Sequence, residues 1–122
     1  MRSGVIAGLV VLLLAGGAAA DETGTARWYG MRHHGSRTAS GERFDRNGMT
    51  AAHPRLPLGD HVRVTNLANG RSVVVRITDR CRCRGTLIDL SEAAARVIGM
   101  GGTGWVRMER FSGRLPTATP PR

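Results

Sequence analysis

Hydrophobic and polar residues alternate most clearly in the middle of the chain. From Val62 to Leu67 apolar or half-apolar positions recur close to every second residue, and Ser72 to Thr78 repeats the pattern with Val73, Val75 and Ile77 on one face. Period two marks a half-buried strand, because successive side chains leave a strand on opposite faces. Asn69-Gly70 lies between the two runs and predicts a hairpin. Thr86 to Leu90 and Trp105 to Phe111 read as further short strands, with Trp105 assigned to the core beside Val106 and Met108. One segment has helical character: Ser91 can cap it, Glu92 suits the positive end of its dipole, Ala93 to Ile98 fill it and Gly99 can end it. The interval from Gly30 to Gly48 is polar, glycine-containing and reads as loop. Short strands, many turns and one helix predict a small β-barrel.

The two ends of the chain have a different pattern. Arg2, the apolar stretch from Val5 to Ala15 and the small residues Ala18-Ala19-Ala20 predict a signal peptide over residues 1–20, cleaved near Ala20. The apolar stretch falls short of the ~20 residues that span a bilayer. Residues 21–24 read as a polar lead-in, 25–111 as the barrel domain and 112–122, with Pro116, Pro120 and Pro121, as a disordered tail. The expected product is a soluble monomer without a stable membrane anchor, periplasmic or secreted.

Charge narrows the choice of partner. All 18 basic residues of the 122 are arginine, against 9 acids, for a net charge of +9. With no lysine, Schiff-base and lysine-base chemistry are excluded. Nucleic acid is the usual partner of a basic domain, but an exported protein seldom meets it, so anionic envelope polymers are expected instead and no nucleic acid. Wall association driven by this charge should weaken with salt.

The motifs Trp28-Tyr29-Gly30, His34-Gly35, Thr38-Ala39-Ser40-Gly41-Glu42, Met49-Thr50-Ala51-Ala52-His53, Leu56-Pro57-Leu58-Gly59, Thr78-Asp79-Arg80 and Ile88-Asp89-Leu90-Ser91 follow one another in this order. Together with the two valine-rich runs they resemble the septal-ring rare lipoprotein A family of bacterial envelope proteins. The resemblance covers nearly all of residues 25–111. It implies a mainly β fold, a six-stranded double-psi β-barrel with one or two short helices, shared with expansins and barwin-like proteins. It also implies lytic transglycosylation of peptidoglycan glycan strands stripped of their stem peptides, with no cofactor.

That reaction breaks the bond between N-acetylmuramic acid and N-acetylglucosamine without consuming water. One carboxyl protonates the leaving oxygen and then takes a proton from the C6 hydroxyl, which closes a 1,6-anhydro ring. Such an acid needs a raised pKa, hence partial burial. Asp79 matches the family's catalytic aspartate; its alternative is a structural pairing with Arg76 or Arg80. Glu42 and His53 match the other two polar site positions. Glu42 would bond substrate or hold Asp79 protonated by like charge, and His53 would orient a hydroxyl or relay a proton. Arg80 accompanies Asp79 in its motif and is assigned to substrate.

Asp89 is a rival carboxyl that would make a two-carboxyl hydrolase possible; its alternative is a bond to backbone amides near the helix start. Trp28 and Tyr29 offer flat faces for stacking on sugars. His33 and His34 diverge on an extended chain, so no metal site is expected. Departures from the family pattern are the missing lipoprotein cysteine, the missing peptidoglycan-binding repeat domain and Cys81-Arg82-Cys83 where Gly-Pro is usual. The two cysteines are expected to form a local disulfide, with intermolecular bridges or a metal pair as alternatives. The competing function is a non-catalytic, expansin-like glycan-binding module.

Overall fold

The computed structural model of the protein describes residues 21–111. The segments read as signal peptide and Pro-rich tail lie outside the described residues. Among the described residues six strands form the fold: β1 (Glu22–Tyr29), β2 (Thr50–Ala52), β3 (His61–Asn66), β4 (Ser72–Asp79), β5 (Ile88–Ser91) and β6 (Thr103–Arg110). They close into a barrel in the order β1-β5-β2-β4-β3-β6, mainly β as expected. Two pairs are parallel, β1 with β5 and β2 with β4, and the others are antiparallel. One short helix, α1 (Glu92–Val97), and a 3-10 turn at Met31–His33 complete it.

The alternation in the sequence reports which side chains fill the barrel. Val62 and Val64 from β3, Val75 and Ile77 from β4, Ile88 and Leu90 from β5 and Val106 and Met108 from β6 are buried together. The same alternation corrects the placement of Trp105. Because Val106 and Met108 point inward, Trp105 points outward and is 62% exposed. Of the residues 21–24 expected to lead into the domain, Glu22, Thr23 and Gly24 belong to β1 and pair with Met108, Arg107 and Val106.

The β3–β4 hairpin is present, with a wider turn than Asn69-Gly70 alone predicts. Its loop runs from Leu67 to Arg71 and is closed by Asn66 N–H donating to the Arg71 carbonyl at 2.8 Å. The helix begins as its sequence suggests: Ser91 Oγ accepts from the Ala94 N–H at 3.1 Å. At the other end Gly99 N–H donates to Arg96 and Met100 N–H to Ala95, at 3.0 and 2.9 Å, while Gly99 adopts φ +67°. This is a Schellman ending, which favours glycine at the left-handed position. A Cβ on Gly99 would also stand 2.8 Å from Arg71 Nη1 and 3.0 Å from Asn69 Nδ2. Gly99→Ala should therefore cost about 1.5 kcal/mol and lower Tm by roughly 8 °C in a thermal melt.

The feature that matters most for function is an irregularity. Between β2 and β4 the register runs Thr50 with Arg76, Ala51 with Ile77, then Ala52 with Asp79, so Thr78 is an extra residue on β4. A bulge of this kind re-aims the residues that follow it. Strict alternation would send Asp79 inward after Val75 and Ile77. The bulge turns it instead toward the loop over the outer face, where its carboxylate meets the Ala39 N–H.

Candidate active site

Asp79 ends β4, and its surroundings decide between the two readings of it. Oδ1 accepts from the backbone N–H of Ala39 and of Arg80, each at 2.9 Å. Neither neighbouring arginine pairs with it. Arg76 forks onto Glu42 at 2.6 and 3.0 Å, and Arg80 Nη1 donates to the carbonyls of His53 and Leu56 at 3.1 and 2.7 Å. Among the described residues Asp79 makes no salt bridge. Arg80, assigned to substrate from the sequence, uses its guanidinium to pin the loop after β2.

Glu42 sits on the loop that crosses the outer face of the sheet. Its double hydrogen bond to Arg76, ahead of the simple charge attraction, holds its pKa below the usual carboxylate value. Glu42 is therefore a stable carboxylate with its charge balanced by Arg76, which corrects the idea that it keeps Asp79 protonated by like-charge repulsion. Its open side can still accept hydrogen bonds. Arg76 joins the candidate site through this pair, which links positions 34 apart and so does not show in the spacing of the sequence.

His53 follows β2 and is almost wholly buried. Its Nδ1 accepts from the N–H groups of Arg55 and Leu56, both at 3.0 Å, so the ring proton belongs on Nε2. Nε2 is buried without a partner. Burial first, then the charge of Arg55, lowers its pKa, with Glu22 opposing and Arg80 adding to the fall. The ring makes no hydrogen bond to Asp79 or Glu42; the link to Asp79 is backbone, the His53 N–H donating to the Asp79 carbonyl at 3.1 Å.

Asp89 lies across the same outer face. In register, Arg27 and Ala52 flank it on β1 and β2, and Ala52 in turn faces Asp79. Two strand spacings, roughly 10 Å, thus separate the two aspartate backbones, with the buried Ala52 in register between them. The alternative of Asp89 bonding the helix start is corrected: Ser91 caps the helix, and Asp89 is half-buried with a pKa raised mainly by that burial, against the pull of Arg27 and His33. A carboxylate with a raised folded-state pKa costs stability above its ordinary value near 3.8. Asp89→Asn should accordingly raise Tm at neutral pH. The gain should vanish as pH falls below 3.8, where both side chains are neutral, which melts across a pH series would read.

The aromatic pair resolves into two separate places, since neighbours on a strand diverge. Tyr29 stacks on Phe44 with centroids 4.3 Å apart and meets the His33 edge at 5.3 Å, so its ring face is occupied rather than offered to a sugar. Its hydroxyl is buried without a partner. Burial raises its pKa most, and the charges of Asp79 and Asp89 raise it further, so the phenol lies within the field of both carboxylates and stays protonated. Trp28 turns the other way, its indole N–H donating to the Gly101 carbonyl at 2.9 Å, beside α1 and away from the aspartates.

Cys81 and Cys83 form a disulfide with Cα atoms 5.1 Å apart. Its sulfurs and an Asp89 carboxylate oxygen lie within 4.8 Å of one another. The bridge therefore sits directly beside the Asp89 side chain.

The family model described as lytic transglycolase matches residues 21–110. The endolytic peptidoglycan transglycosylase RlpA of Neisseria meningitidis serogroup A is 50% identical over 93 residues, 74% of this chain and 39% of that protein. The Pseudomonas aeruginosa RlpA is 54% identical over 87 residues, 70% of this chain and 26% of its own length. A probable RlpA of Synechocystis is 58% identical over 82 residues, 66% and 26% respectively. The chain thus spans well under half the length of these relatives. Among solved structures, a Clavibacter michiganensis expansin aligns with TM-score 0.63 at 22% identity over 80% of this chain and 53% of that one. The Streptomyces papain inhibitor aligns with TM-score 0.60 at 23% identity, over 79% and 98%. These two likenesses support the double-psi barrel and the family model goes further: the chain belongs to the lytic transglycolase family, as its motifs imply.

Proposed function

We propose that the protein is an exported peptidoglycan lytic transglycosylase that cleaves the MurNAc–GlcNAc bond, with Asp79 as general acid and base. The observation that carries this reading is the setting of Asp79. One carboxylate oxygen is fixed by two backbone N–H groups, and among the described residues no cation forms a salt bridge with it. The family and the names of the RlpA relatives supply the substrate class.

In this mechanism the free oxygen of protonated Asp79 gives its proton to the glycosidic oxygen as the C1–O bond breaks and positive charge grows at C1. The resulting carboxylate then takes the proton of the C6 hydroxyl, and that oxygen closes on C1 to form the anhydro ring. The acid is restored and no water enters. Glu42, held by Arg76, accepts hydrogen bonds from sugar hydroxyls. The Tyr29 hydroxyl stays neutral in the field of both aspartates, and His53 positions Asp79 through its backbone contact. The domain extends to residue 111 and is preceded by an export signal cleaved near Ala20.

A second reading is favoured by Asp89, whose raised pKa and placement across Ala52 fit a two-carboxyl hydrolase. Digesting peptide-stripped peptidoglycan and weighing the products separates them. Anhydro ends are expected; reducing ends would establish the hydrolase, and uncut but bound glycan would leave only the binding module.

A further inference from the structure

The outer face of the sheet continues beyond the candidate site. Thr38, Glu42, Met49, Thr50, Arg76 and Thr78, the residue before Asp79, are among those lining one hollow between the crossing loop and the sheet. A second depression of about 470 Å³ lies on the β3–β4 face, and the two meet at Met49 and Arg76. Its walls include His61, Arg63 and Val74. The strand register explains why: His61 is opposite Arg76 and Arg63 opposite Val74, all on the outward parity of the two strands.

The charges around this depression do not cancel. Arg76 is neutralised by Glu42. Arg63 makes no ion pair and no side-chain hydrogen bond among the described residues. Its neighbour on β6, Glu109, leans toward Arg107 at 4.0 Å, and Asp60 pairs with Arg110. The Arg63 guanidinium rests over the Phe111 ring, 5.1 Å from its centroid, a contact that steadies the side chain and leaves its N–H donors unspent. An oriented, unpaired guanidinium at the wall of a groove is suited to a carboxylate, which it can bind through two parallel hydrogen bonds.

We propose that this depression is a carboxylate-binding subsite of the glycan groove, in which Arg63 takes a carboxylate carried by a muramyl residue away from the bond that is cut. The proposal rests on the reading of the protein as acting on peptidoglycan. Val74, opposite Arg63, lies five residues before Asp79 on β4, roughly 16 Å along the strand, so the carboxylate belongs to a sugar more than one unit removed. Two sources carry it: the lactyl group of a stripped muramyl residue and the free carboxylates of a stem peptide.

The test compares the full-length wild type with Arg63→Gln and Arg63→Lys on three substrates. These are peptide-stripped glycan, the same glycan with its lactyl carboxylates coupled to methylamine, and peptide-bearing glycan. On the substrate that carries the relevant carboxylate, Arg63→Gln is expected to raise KM about tenfold at unchanged kcat, with Arg63→Lys in between. Amidation should raise the wild-type KM by the same factor and leave Arg63→Gln unaffected if the lactyl group is the ligand. An Arg63 effect confined to peptide-bearing glycan would assign the stem peptide instead. The amidation arm uses wild type and so does not depend on how the variants fold. Equal KM for wild type and Arg63→Gln on all three substrates overturns the subsite. If the wild type cuts nothing, co-sedimentation with the same three glycans replaces KM; retention that depends on Arg63 then upholds the subsite while the lytic reading fails.

Discussion

Asp79→Asn is expected to lower the rate of glycan cleavage about a thousandfold, the loss typical of removing a general acid. The substitution is well suited to the question because an asparagine oxygen can keep both hydrogen bonds that Asp79 Oδ1 accepts, from Ala39 and Arg80 at 2.9 Å. The loop therefore stays in place while the other atom of the group becomes an amide nitrogen that cannot exchange a proton with substrate. Melting should show a Tm near that of the wild type, and co-sedimentation with stripped glycan should show retained binding. Chemistry and structure are thereby separated. The companion variant Asp89→Asn distinguishes the two carboxyls. With Asp79 as the sole acid and base, Asp89→Asn keeps the anhydro product and most of the rate. If Asp89 is the proton donor, Asp89→Asn shows the thousandfold loss, and the assignment of Asp79 falls.

The contrast between these two aspartates also marks the boundary of what the amino-acid sequence makes legible. Local signals are legible. The hairpin, the Ser91 cap and the Gly99 ending each depend on residues within a few positions of one another, and each is present. Strand β2 has three residues, too few for a period to show, and β1 carries Gly24 and the polar residues Glu22, Thr23, Thr25 and Arg27 where a run of apolar ones would have marked it. Trp105 reads as core because its neighbours are apolar, yet its neighbours' burial is what sends it outward. The bulge at Thr78 leaves no trace in composition, and it decides which way Asp79 points. Motif resemblance brings forward Glu42, His53 and Asp79 by position. Their surroundings, Arg76 beside Glu42 and Phe44 and His33 around Tyr29, are tertiary facts that no spacing encodes.

His53→Ala should destabilise the protein by about 3 kcal/mol, lowering Tm on the order of 15 °C. The ring is 2% exposed, so its loss opens a cavity. The Arg55 and Leu56 N–H groups also lose the acceptor they share at 3.0 Å. His53→Asn is the informative partner variant, since an asparagine oxygen stands close to where Nδ1 does and can accept the same two bonds. If His53 acts by positioning the Asp79–Arg80 segment through its backbone, Asn restores most of the stability and most of the activity together. If the Nε2 proton takes part in the reaction, Asn restores stability alone, and the relay reading replaces the positioning one. The pH dependence has a definite sign. Burial lowers the folded-state pKa of His53 beneath its ordinary 6.5, so the unfolded chain takes up protons first as pH falls. Wild-type stability should therefore decline from about pH 6.5 downward toward the folded pKa, and that part of the decline should be absent from His53→Asn, leaving its melting curve flatter over the same window.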